Sequence, residues 1–195
     1  MKKQTKSAKR QYGYSIVELL VSLGLISIFS ALAAPRLVGT YRSYQMDDMA
    51  SQVAAQIKIT RYEAIRRNNA INCLNNMQGG VLTIFAQDPK APNANVQANE
   101  KQMVIPATAP AALAASAAVP GSGSLPAVAN VATLTDVSPT NGTITFDGRG
   151  AKTAPAGVSV YWVGNAVYGW RAVTVMPSGS VQVWSSATGT WKQLS

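Results

Sequence analysis

With 195 residues, 47% of them hydrophobic and 13% charged, the chain has apolar content for one modest domain plus accessory segments. The charged share is well below the roughly 25% of an ordinary soluble domain. No histidine and a single cysteine exclude His/Cys zinc sites, Ser-His-Asp triads and Cys-His pairs.

Charge is unevenly placed along the chain. Of a net +9, Lys2, Lys3, Lys6, Lys9 and Arg10 all precede Gly13 with no acid among them, and the remainder is only mildly basic. The run YSIVELLVSLGLISIFSALAA, residues 14–34, contains one charge, Glu18. About 20 apolar residues cross a bilayer as a helix, so this run is a membrane span. The positive-inside rule then sets the basic leader in the cytoplasm and the rest outside. An ordinary secretory signal is the alternative, with SALAAP as its cleavage site. The length of the apolar run and the carboxylate near its start speak against it.

Pro35 lacks a backbone donor and is expected to kink or loosen the helix there. Beyond it, Met46, Met49, Val53, Ile57 and Ala64 recur at helical spacing and form one apolar stripe. Asp47, Asp48, Gln52, Gln56, Lys58 and Arg61 lie between them and read as a solvated face. With no glycine or proline over 40–69, one helix from Tyr14 to about Asn68 is expected, roughly 80 Å long at 1.5 Å per residue. The glycines of NNMQGG (75–80) end the helical text. Residues 35–69 are thus the amphipathic continuation of the 14–34 span.

Residues 70–195 read as a β-rich domain outside the membrane. VLTIFA (81–86), TITFD (143–147), GVSVYWV (157–163), RAVTVM (171–176) and GSVQVW (179–184) have strand character. MPSGS joins the last two as a hairpin turn. The expected fold class is α+β, with the helix stripe packed on an antiparallel sheet. From about 87 to 142 alanine, proline, serine and glycine dominate, which predicts a long exposed loop with one added strand at KQMVI (101–105). Cys73 has no partner for an internal disulfide and reads as a small buried hydrophobe.

Chemistry-bearing groups are few. Asp47 and Asp48 are adjacent on a helix and point about 100° apart, so they form no carboxylate dyad. Asp147 beside Arg149 reads as a turn pair. No nucleophile–base set can be assembled, no cofactor is implied, and the chain is expected not to be an enzyme. Lys58, Arg61, Arg66 and Arg67 near the helix end, with Arg149 and Lys152 in DGRGAK, are candidate phosphate contacts for DNA. A solvated helix face plus a turn is the plainer reading of the same six.

The basic leader ending in Gly13, the aromatic Tyr14, SIVELLVSLGLISIFSAL with Glu18, and Pro35 together resemble the class III signal of type IV pilins and type II secretion pseudopilins. The remainder is similar to the GspH/FimT group of minor pilins and pseudopilins, on motifs resembling TITFDGRGAK and AVTVMPSGSVQVW. Tyr14 replaces the more usual phenylalanine. The resemblance implies cleavage between Gly13 and Tyr14 by prepilin peptidase, and N-methylation of Tyr14 by the same enzyme. It further implies that Glu18 pairs with the terminal amine of a neighbouring subunit during assembly. The implied partners are prepilin peptidase, other major and minor pilins or pseudopilins, the inner-membrane assembly platform and the lipid of the inner membrane. Within the family the chain reads as a minor pilin at or near the tip of a type IV pilus. A type II secretion pseudopilin, or a DNA-binding FimT-like pilin of natural transformation, are the alternatives.

Overall fold

In the computed structural model the described residues are 14–78, 81–87, 101–106, 112–113, 125, 134–137, 142–165, 169–186 and 190–194. Gly13 and the basic leader lie outside them, as does most of the Ala/Pro-rich stretch. The chain divides into two compact units, one ending at Thr40 and the other running from Tyr41 to Ser195.

Helix α1 covers Ile16–Arg67 and continues through position 35. Its first part is apolar on every face and wholly uncovered. An 18-residue window has a mean hydropathy of 2.3 and no buried share. Ser22 and Ser27 keep their hydroxyls satisfied within this part by donating to the carbonyls of Glu18 and Leu23, at 2.7 and 2.8 Å. That arrangement suits a helix surrounded by lipid, where backbone and hydroxyl groups must be paired internally.

In the second unit α1 packs by its predicted stripe: Met46, Met49, Val53, Ile57 and Ala64 are all buried. The sheet is two sheets rather than one. The first runs β3–β2–β1–β6–β7, from Gln102–Pro106, Val81–Gln87, Ile71–Gln78, Thr143–Phe146 and Lys152–Ala154. The second runs β11–β10–β9–β8–β4, from Lys192–Gln193, Val181–Ser185, Gly169–Val175, Val158–Asn165 and Ala112–Leu113. β5 (Leu134–Asp136) adds to β8 as a parallel strand, Thr135 opposite Ser159. The fold is α+β, one long helix packed against antiparallel sheets.

Residues of both sheets join the helix stripe in one core. Cys73, Leu82, Ile84, Ile144 and Phe146 come from the first sheet, and Tyr161, Val163, Val173, Val175 and Val183 from the second. The second sheet is buried on its other face as well. There Val158, Val160, Trp162, Trp170, Ala172 and Trp184 form a second cluster, with Trp191 against it. All four tryptophans of the chain therefore meet on this outer face. Burial on both sides is why GVSVYWV reads as an almost unbroken apolar run.

Two expectations need correction. The helix ends before NNMQGG: Arg67 is its last residue, and Asn68 takes a left-handed conformation with φ of 45°. Asparagine tolerates this region where most residues do not. Residues 71–78 then form β1, paired with β2 through Cys73 opposite Ala86 and with β6 through Cys73 opposite Ile144. The stretch 87–142 is likewise more than an exposed loop. KQMVI supplies β3 as expected, but β4 and β5 complete the edge of β8, and Leu125 and Val137 are buried. Leu125 lies in the tryptophan cluster.

Cys73 is fully buried in the main core, and desolvation pushes its thiol up to about 12. A neutral thiol is a poor nucleophile. Iodoacetamide at pH 8 is therefore expected to leave Cys73 unmodified in the native protein and to alkylate it fully in urea, read by intact mass. Rapid native-state alkylation would contradict the burial.

Candidate processing segment and cation cluster

Tyr14 is 82% exposed just ahead of α1, and Glu18 stands exposed in the first helical turn. A carboxylate at a helix N-terminus is favoured by the helix dipole, so Glu18 does not strain the helix that carries it. Its cost arises only from apolar surroundings. Ile16 in the same turn, and Leu20, Ile26, Phe29 and Leu32 over the turns that follow, are each at least 60% exposed. The described part of the candidate processing site is thus a free tyrosine, an accessible acid and an uncovered apolar rod.

The six candidate phosphate contacts have a different fate. Arg61 donates from Nε to the Gly150 carbonyl at 2.8 Å and from Nη2 to the Ser178 carbonyl at 3.4 Å. Arg66 and Arg67 both hold the buried carboxylate of Glu63, Arg66 through Nε at 2.9 Å and Arg67 through Nε at 2.9 Å. Lys152 is buried rather than solvated, with its ammonium on the Pro155 carbonyl, and desolvation lowers its pKa. Lys58 and Arg149 are exposed. Four of the six cations therefore have partners within the molecule: Arg61 and Lys152 on backbone carbonyls, and Arg66 and Arg67 on Glu63 while remaining exposed.

Arg61 has a clear structural task. It fastens to α1 two turns that the sequence separates, DGRG and MPSG. In the first, Asp147 Oδ1 accepts from the backbone amides of Arg149 and Ala151 at 2.9 and 2.8 Å. In the second, the Gly179 amide donates to the Met176 carbonyl at 2.8 Å. The amide of Lys152 donates to the Pro177 carbonyl at 2.9 Å and ties the turns to each other.

Glu63 carries a pH dependence. The bond from Arg66, reinforced by Arg67 against the cost of burial, lowers its pKa from 4.5 to about 2. A depressed carboxylate contributes stability above its unfolded pKa and loses it as pH falls through the folded one. Since Arg66 is largely exposed and screened, Glu63→Gln is expected to cost about 1–2 kcal/mol at pH 7. Urea melts should show the gap between wild type and variant closing as pH drops from about 4.5 to about 2. A gap that stays constant over this window would remove Glu63 as its cause.

One pair was not recognised from the sequence. Arg171 is wholly buried, yet its Nε donates to Asp47 Oδ1, and its Nη2 to Ser43 Oγ at 2.8 Å. Asp47 is thus a counter-ion that pins β9 to α1, not part of a solvated face. Strand parity carries the signal, since Arg171 shares its face with the inward Val173 and Val175.

Among the described residues no three His, Cys, Asp or Glu side chains gather as metal ligands. Residues 8–34 match the family model of the prokaryotic N-terminal methylation motif, and residues 49–179 match that of type II transport protein GspH. No curated protein and no solved structure gives a significant match.

Proposed function

The chain belongs to the family of type II transport protein GspH and carries the prokaryotic N-terminal methylation motif, and from that premise we propose that it is a minor pilin of a type IV pilus. Prepilin peptidase cuts between Gly13 and Tyr14 on the cytoplasmic side and methylates the new amine of Tyr14. The mature subunit stays anchored in the inner membrane by residues 14–34, with its β domain outside, until it enters the pilus at or near the tip and primes assembly.

The carrying observation is the uncovered apolar first part of α1 with Glu18 as its only charge. An isolated carboxylate at membrane depth costs about 2.5 kcal/mol or more. Pairing with the terminal amine of a neighbour reduces that cost, because an ion pair shields both charges from the apolar surroundings. The subunit is better satisfied beside another than alone, which makes desolvation a recruiting force. The test is Gly13→Ala expressed with prepilin peptidase: the leader should remain, Tyr14 should lack a methyl group by mass spectrometry, and piliation should fall. A processed, methylated N-terminus in this variant would sink the reading.

A second reading is a type II secretion pseudopilin, favoured by the family model over residues 49–179. Deleting the gene separates the two, since one reading loses pili and the other loses secretion of exported enzymes. DNA reception keeps only Lys58 and Arg149 of its six cations clear of internal carbonyls and carboxylates. A salt-dependent gel shift with the full chain in detergent tests it, and no shift at low salt ends it.

A further inference from the structure

The apolar rod of the first unit has one cationic break. Arg36 is exposed, and among the described residues of this unit the only other charge is Glu18, about 27 Å back along the helix. Thr40 donates its hydroxyl to the Arg36 carbonyl at 3.0 Å and so offers the guanidinium no counter-charge.

Phe29, Ala33, Arg36 and Thr40 fall within about 60° of helix arc, with Leu32 and Leu37 on either side of them. These six line an open groove that lies wholly within the first unit. Ala33 makes the dip in it, since Phe29, Leu32 and Leu37 around it are large and 68%, 67% and 68% exposed. The groove is thus apolar toward Tyr14 and cationic toward Thr40.

Depth agrees with charge. Arg36 follows Tyr14 by 22 residues, about 33 Å of helix, against about 30 Å for the hydrocarbon core of a bilayer. A cation there stands at phosphate level, while Phe29, Leu32 and Ala33 stay among acyl chains. An arginine on the outer side runs against the positive-inside trend, and its own unit holds no acid within reach to account for it. A lipid phosphate is the partner it lacks, because guanidinium forks match phosphate oxygens.

We propose that this groove holds one anionic phospholipid, with its phosphate on Arg36 and one acyl chain laid over Ala33 beside Phe29. The site rests on the membrane-anchored reading above and names a lipid contact that reading leaves open.

The experiment extracts the full chain from bilayers of equal phosphatidylglycerol and phosphatidylcholine in mild detergent and counts the retained lipids by native mass spectrometry. One phosphatidylglycerol should stay with each single chain. Arg36→Gln should lower the preference over phosphatidylcholine about fivefold, the worth of one cation at an anionic surface. Ala33→Leu fills the dip and should lose the retained lipid although Arg36 is intact. Ala31→Leu, on the opposite face of the helix, should change nothing. Equal losses for Ala31→Leu and Ala33→Leu would mean a general lipid shell and overturn the site. Retention only by complexes of two chains would give the groove to a second copy and overturn it as well. A nitroxide on Leu23→Cys, with buried Cys73 unlabelled, separates this claim from the one beneath it. If position 23 is open to a water-soluble nickel complex in the bilayer, the membrane reading itself fails. If 23 is shielded and phosphatidylglycerol is not preferred, the site is wrong and the anchor stands.

Discussion

Asp47→Ala is expected to destabilise the protein by about 3 kcal/mol, because it strands a guanidinium that water cannot reach. Arg171 is 0% exposed, whereas the Asp47 side chain is 35% exposed. The pair is therefore asymmetric. Without Asp47, Arg171 keeps the Ser43 hydroxyl at 2.8 Å and weaker bonds to the Ser43 and Trp170 carbonyls, at 3.4 and 3.5 Å. Those bonds soften the loss but do not neutralise a charge. Without Arg171, by contrast, Asp47 can rehydrate. Arg171→Met is then expected to cost about half as much, since its stem also filled space beside β9. Combining the two substitutions should cost less than their sum, because the double variant leaves no unpaired charge. Urea melts of the detergent-solubilised chain, followed by tryptophan fluorescence, give all three values. An Asp47→Ala cost within about 0.5 kcal/mol of zero would mean that the ion pair does not hold β9 to α1.

That pair also marks where sequence reading stops. The helix was legible because its stripe repeats at helical spacing over several turns, and Met46, Met49, Val53 and Ile57 are all in the core. The segment that matches the methylation motif was legible for another reason: a single acid in a run of 21 apolar-rich residues is costly and stands out without any tertiary knowledge. β1 was hidden because INCLNNMQ breaks the alternation. Ile71 and Cys73 point into the core, but so does Asn75, whose side chain is satisfied by the Tyr161 hydroxyl at 3.2 Å. Leu125 was hidden because its neighbours are small, and nothing local says that the outer face of the second sheet needs a cover. The surroundings of the cations were not legible for a physical reason. Whether an arginine meets solvent or a carbonyl depends on which turns the fold brings to it, and the partners of Arg61 lie 89 and 117 residues away.

Those distant partners set the second large effect, Gly179→Ala, expected to cost on the order of 3 kcal/mol. Gly179 has φ of +80°, where an alanine is strained by roughly 1–2 kcal/mol. Its added Cβ would also stand 2.0 Å from the Gly150 carbonyl oxygen and 2.6 Å from Arg61 Nε. The first neighbour is backbone, fixed by its own bond from Arg61, so the turn must lift away and break that bond. Gly150→Ala is the informative contrast. It has the same φ of +80°, but its Cβ would meet the Cδ1 of Ile65 at 2.6 Å, the far end of a flexible and partly exposed side chain. Ile65 can turn aside, so Gly150→Ala should cost mainly the backbone strain, about 1–2 kcal/mol. Arg61→Ala should remove the clamp without any clash, at about 1–2 kcal/mol for hydrogen bonds made by a charged donor. Adding Gly179→Ala to Arg61→Ala should then cost less than it does alone, since the turns are already loosened. If Gly179→Ala and Gly150→Ala prove equally mild, the two turns do not pack against each other as closely as these contacts require. If the order holds, Gly150 of DGRGAK and Gly179 of MPSGS are there for close packing on Arg61, and the likeness of those motifs to the family has a structural cause independent of any ligand.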